Sequence, residues 1–203
     1  MSSAVIFLKT LSADLKNFIS HPTRTTSEIL SRKTPVTRAL LFFVIFTNCY
    51  FLFLPSFLLL LNIIIFFIFF ISLGSVYYFS QEMTISYEEE TGADVEDRFF
   101  YVVAYCFGLA GFIGFILNFV ANLVFILFNK FLVVGVFFAT LCTLPIAIIY
   151  FFYCIKITAV LCPNSNAVSK YIEQISQSFI LTCKEGLGFK AVSELLIDWR
   201  ELK

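Results

Sequence analysis

The sequence predicts an all-α integral membrane protein. It reads as a helical hairpin and a second helical block, four to five transmembrane helices in all, with amphipathic helices at both ends. Three observations carry this. The run Ala39–Phe79 holds no charged residue, and the run Phe99–Leu161 holds only Lys130 and Lys156. Charged residues are 14% of the 203, whereas a soluble domain carries about 25%. The remaining charges lie almost entirely outside the two apolar runs. About 20 apolar residues cross a hydrocarbon core, and lipid forces each backbone polar group to pair within its own segment, so apolar runs of this length read as bundled helices. The 28 Phe against a single Trp suit a lipid-facing surface.

One membrane domain, 39–162, is therefore expected between a basic amphipathic segment, 1–38, and an amphipathic tail, 163–203. Residues 1–20 place Leu8, Leu11, Leu15, Phe18 and Ile19 at helical spacing, as in a helix lying in the membrane interface. The short apolar run Ala4–Leu8 and the lack of a small-residue cleavage site argue against a secretory signal. Asp14, with no Arg before Arg24, counts against a mitochondrial presequence, so the segment is expected to be retained. Thr25 and Glu28 then have capping-box spacing, which predicts a short helix Thr26–Lys33 ending before Pro35. Arg24, Arg32, Lys33 and Arg38 crowd this stretch. They mark the cytoplasmic-type side of the first span and are candidate contacts for lipid headgroups or an acidic partner.

The hairpin, 39–80, is long enough for two spans, Val36–Leu54 and Phe57–Phe79, turning at Pro55-Ser56. Asn48 and Asn62 within it are candidate interhelical hydrogen-bond partners, each contributing on the order of 1 kcal/mol. Residues 81–98 read as a polar loop holding Glu82, Glu88, Glu89, Glu90, Asp94, Glu96 and Asp97. These acids lack the alternating ligand spacing of an EF-hand, so a solvated charged loop or a surface for a basic partner is expected.

The second block, 99–162, divides in two ways. Two helices of about 30 residues meet at Asn129-Lys130, or three shorter spans break near Asn118 and again near Thr140–Pro145. A lysine at the bilayer centre costs about 2.5–3.5 kcal/mol, which favours an interfacial Lys130 and two helices; Pro145 and the Asn118/Asn122 pair favour three. Kept inside the bundle, Lys130 would instead mark an ion or headgroup path. Gly108, Gly111 and Gly114 form a small-residue face suited to close helix packing. In the tail, Val168, Tyr171, Ile172, Ile175 and Phe179 form one stripe. Val192, Leu195, Leu196 and Trp199 form another, after a break at Gly186/Gly188. Two helices are expected there, lying along the membrane, docking on a partner or packing on the N-terminal helix.

Six cysteines show no C-x-x-C spacing and His21 is the only histidine, so no metal and no cofactor is expected. No nucleophile–base constellation is legible, and no enzymatic activity is expected. Residues 1–38 carry six Lys/Arg against two acids, placing the N-terminus on the cytoplasmic-type side of a mitochondrial inner membrane, an endomembrane or a bacterial inner membrane. With four spans the tail lies on that same side, and with five it crosses. The expected role is a structural or accessory subunit of a larger membrane complex, with lipids and other subunits as partners and no nucleic acid, or else a protein that organises or curves its membrane.

The lead-in Phe18-Ile-Ser-His-Pro22, then Ser27-Glu-Ile-Leu30, a tight hairpin, Arg98-Phe-Phe-Tyr-Val-Val-Ala-Tyr105 and a long apolar block form a recognisable order. Over roughly residues 15–165 this layout resembles the Yip family of small polytopic membrane proteins. The resemblance implies five spans, a cytosolic N-terminus and, for the eukaryotic branch, interaction with Rab-type small GTPases in trafficking. That branch's Asp-Leu-Tyr-Gly-Pro-like signature is absent here, and no functional residue carries across.

Overall fold

The structure is a computed structural model that describes residues 3–32, 59–92, 99–128 and 132–186, together with Lys190 and Ser193. The described residues are all-helical. They form α1 (Ser3–Ser20), α2 (Pro22–Leu30), α3 (Leu59–Thr91), α4 (Phe99–Phe128), α5 (Leu132–Leu161) and α6 (Ala167–Lys184). The first span of the expected hairpin, with Pro55-Ser56, lies outside the described residues.

The N-terminal helix forms as its periodicity predicts, but α2 starts at Pro22, not after Thr25. The residue before a proline avoids the α region, so His21 turns out of the helix (φ −139°) and Pro22 opens the next one, where its missing N–H is not needed. The capping box is therefore not used. Thr26 instead donates back to the Pro22 carbonyl at 2.8 Å, and Glu28 pairs with Arg24.

Helix α3 does not end with the apolar run at Phe79. It continues to Thr91, so the first part of the expected acidic loop is helical. The stretch has no glycine or proline before Gly92, and packing rewards the extension. Ser80, Met83 and Ser86 are buried, and Tyr87 stacks on Phe99 with ring centroids 4.6 Å apart. Gly92, at φ +64°, ends the helix in the left-handed conformation and donates to the Glu88 carbonyl at 2.8 Å.

The second block is two helices of 30 residues each. No break occurs at Asn118/Asn122, and Pro145 sits inside α5. Neighbouring helices in a bundle let a proline stay within a helix despite the carbonyl it frees. Among the described residues, one stretch, Phe99–Leu117, is long and apolar enough to cross a membrane, with mean hydropathy 2.1. Pro145–Leu161 is a shorter apolar helix.

Helix α4 packs most extensively on α5, and α6 on α3. The buried core joins Phe18 and Ile29 of the N-terminal pair, Met83 of α3, Val103 and Leu109 of α4, and Ile157 and Leu161 of α5. The α1–α2 pair lies against α4 and α5, with Phe18 stacked on Tyr153 at 5.2 Å. Helix α6 lies against α3 and α5, capped by Asn166, whose side chain accepts from the amides of Val168 and Ser169. The flanking helices thus gather at the end of the bundle where α3 stops, α4 starts and α5 stops.

Candidate functional site

The polar chemistry of this end converges on Asp14. Helix α1 buries one face through Leu11, Asp14 and Phe18, and Asp14 is only 2% exposed. Arg32, just past α2, donates two parallel hydrogen bonds to its carboxylate, Nη1 to Oδ2 and Nη2 to Oδ1, both 2.8 Å. Tyr105 of α4 donates a third, from its hydroxyl to Oδ2 at 3.0 Å. Tyr153 of α5 adds a 3.3 Å hydrogen bond to the Ile19 carbonyl. The Asp14 hydrogen bonds hold the Arg32 guanidinium above its already high pKa, so it stays charged. A carboxylate with both oxygens engaged by a planar guanidinium is an anchor that fixes α1 on α2 and α4.

A second clasp joins α3 to the α5–α6 turn. Glu90 accepts from the Asn164 amide at 3.0 Å and from the Ser165 hydroxyl, while the Asn164 side chain donates to the Glu90 carbonyl at 3.2 Å. From there α6 runs back along α3 on a buried polar seam. Gln174 Nε2 donates to Ser86 at 3.1 Å, and Ser75 donates to Thr182 at 3.3 Å. Tyr171, outside the apolar spans, is buried beside Tyr150 and Cys154, and burial pushes its phenol well above the ordinary value.

The seam inverts α6. Tyr171, Gln174, Ser178 and Thr182 are buried, while Val168, Ile172, Ile175, Phe179 and Ile180 are exposed, Phe179 by 53%. The apolar stripe read from the sequence, Tyr171 apart, points away from the protein. Ile148, Ile149, Phe151 and Phe152 of α5 are exposed as well.

The basic cluster read from the sequence is partly spent inside the molecule. Arg24 pairs with Glu28 at 2.8 Å on the surface, and Arg32 serves Asp14. Lys33, Arg38, Asn48 and Lys130 lie outside the described residues, as does the side chain of Asn62 in the first turn of α3. Lys156 sits 5.3 Å over the Phe152 ring. Gly108, Gly111 and Gly114 are buried in α4, and a Cβ at Gly114 would meet the Tyr150 ring at 3.8 Å, an ordinary contact. Cys106, Cys154 and Cys162 are buried free thiols, and no metal-holding cluster occurs among the described residues. Sequence reasoning missed the role of Asp14. Its signal was a lone acid three residues after Leu11 and four before Phe18, on the face of α1 that is buried.

No protein-family model matches this chain, and no curated protein or solved structure is significantly similar to it.

Proposed function

We propose that this chain is a non-catalytic accessory subunit of an integral membrane complex, built to pack against lipid and other subunits. The observation that carries the proposal is the inversion of α6. A helix that turns serine, threonine and glutamine inward and isoleucine and phenylalanine outward is suited to an apolar surrounding, where hydrogen bonds and small residues hold helices together. In water, five exposed large apolar side chains on one helix would form a patch of the kind that marks an interaction or membrane surface. On this reading the chain crosses the bilayer four times, through α3, α4 and α5 and through the expected span Val36–Leu54, which lies outside the described residues. Its N-terminal pair lies on the cytoplasmic-type side, and α6 lies alongside α3 in the leaflet of that side.

The test is recovery of tagged protein from its native membrane in mild detergent, read by mass spectrometry and native electrophoresis. Stoichiometric co-recovery of a larger assembly is expected. Migration as the chain alone, with lipid only, would contradict the subunit role, and capture of small GTPases would point to a Yip-like role instead.

One observation favours a second reading, a membrane-shaping protein. Helices α1, α2 and α6 all add bulk at one end of the bundle, which widens one leaflet relative to the other. Purified protein at high loading would then tubulate or constrict liposomes, and vesicles left unchanged would dismiss this role.

A further inference from the structure

We propose that the groove between α3, α5 and α6 is a binding site for one acyl chain of a membrane lipid. The groove is open to the surface and offers about 380 Å³, within the range of small-ligand sites. Phe79 of α3, Phe107 of α4, Tyr150 of α5 and Phe179 of α6 supply its walls. Tyr171, also on the lining, stands against both Phe79 and Phe151, with ring centroids 5.6 and 5.4 Å apart.

The chemistry of the occupant follows from where the wall hydroxyls point. Three serines and the phenols of Tyr150 and Tyr171 line the groove; the phenols engage each other and Cys154, and each serine spends its proton inside the protein. Ser75 donates to Thr182, Ser176 to the Ile172 carbonyl and Ser178 to the Ile175 carbonyl. Water needs two to four polar partners to settle in a cavity, and a polar ligand needs donors aimed at it. These walls offer apolar contact instead, which suits a hydrocarbon occupant.

The source of the hydrocarbon follows from what surrounds the opening. Ile175 and Phe179, on the groove's rim, belong to the outward apolar face of α6. Tyr150 is followed directly by the exposed Phe151 and Phe152 of α5. The groove is therefore continuous with the surface assigned to the bilayer, and a chain enters it sideways from the leaflet. This rests on the membrane assignment made under the proposed function.

The full chain is reconstituted in phosphatidylcholine nanodiscs that contain phosphatidylcholine with a diazirine on one acyl chain. Irradiation and peptide mapping then locate the label. Labelling is expected to concentrate on the peptides of Phe107, Tyr150 and Phe179 and to saturate near one lipid per protein at low probe fraction. Ile175→Trp, which fills the rim from an exposed position, should cut this labelling about tenfold, a loss of about 1.4 kcal/mol in affinity. Ile172→Trp, on the same face but off the groove, should leave it unchanged. Label that rises linearly with probe fraction and ignores Ile175→Trp would overturn the site while leaving the membrane assignment intact. Absence of label anywhere on the chain would overturn both. Should Ile175→Trp lose its helical signal, saturation against linearity in the unaltered protein decides.

Discussion

Arg32 grips Asp14 through two parallel 2.8 Å hydrogen bonds and thereby ties the end of the N-terminal helical pair to a carboxylate buried in its first helix. Removing one member of such a pair strands the other without compensation, whereas replacing both with apolar groups is tolerated. Arg32→Ala is expected to destabilise the folded protein by an amount near the lower end of about 3–5 kcal/mol, because Arg32 keeps some solvent contact. The double variant Asp14→Leu/Arg32→Met should regain most of that loss. Unfolding followed in detergent decides the matter, and equal destabilisation of single and double variants would refute the anchoring role.

The polar seam predicts an unequal response along α6. Gln174 donates to Ser86, but its Oε1 meets no protein donor, so the residue is only half satisfied. Gln174→Met is therefore expected to change stability by less than about 1 kcal/mol, the typical cost of one interhelical hydrogen bond in a membrane bundle. Gln174→Glu should cost more, since it places a carboxylate at a position only 3% exposed, where desolvation disfavours the charge. Thermal unfolding of the two variants side by side provides the comparison.

Two glycines separate backbone need from space. Gly92 closes α3 at φ +64°, where a side chain is strained, so Gly92→Ala should cost about 1 kcal/mol. Gly114 lies in a helix where, among the described residues, a future Cβ meets the Tyr150 ring at 3.8 Å, so Gly114→Ala should be neutral or slightly stabilising. A large loss at Gly114 would mean that the helices approach more closely there than this contact allows.

How much of this was legible in the sequence depends on which physical signal each element carries. The 3.6-residue periodicity of α1 and α6 and the low charge of 99–161 report helical runs, and among the described residues helices stand there. The ends of helices depend on competing local effects. Thr25 and Glu28 spelled a capping box, yet Pro22 pre-set an earlier start. Seven acids between 81 and 98 spelled a loop, yet buried Met83 and Ser86 carried α3 on to Thr91. Periodicity also fixes a stripe without its direction, so the sequence could identify the apolar face of α6 but could not say that it faces outward. Asp14 illustrates the same limit, because an acid at a buried register position becomes an anchor only when a partner 18 residues away folds over it.

Tyr171 predicts a response to alkali. The unfolded phenol ionises near its ordinary value of 10, while burial holds the folded one above that. Above pH 10 the unfolded chain therefore sheds a proton that the folded chain keeps. The stabilisation is complete below that value and declines as pH rises beyond it, by at most about 1.4 kcal/mol per pH unit. Unfolding midpoints of the protein should fall above about pH 10 more steeply than those of Tyr171→Phe. Parallel curves would show that Tyr171 contributes nothing to the alkaline limit.

The proposed four-span bundle puts the N-terminal helices and the tail at the same end. The most direct measurement places a protease-cleavable tag at each terminus and treats sealed, uniformly oriented vesicles from the outside. Both tags are predicted to be removed together from vesicles of one orientation and both protected in the other, with the chain resisting carbonate extraction. Removal of one tag while the other stays protected would establish an odd number of crossings and contradict the arrangement.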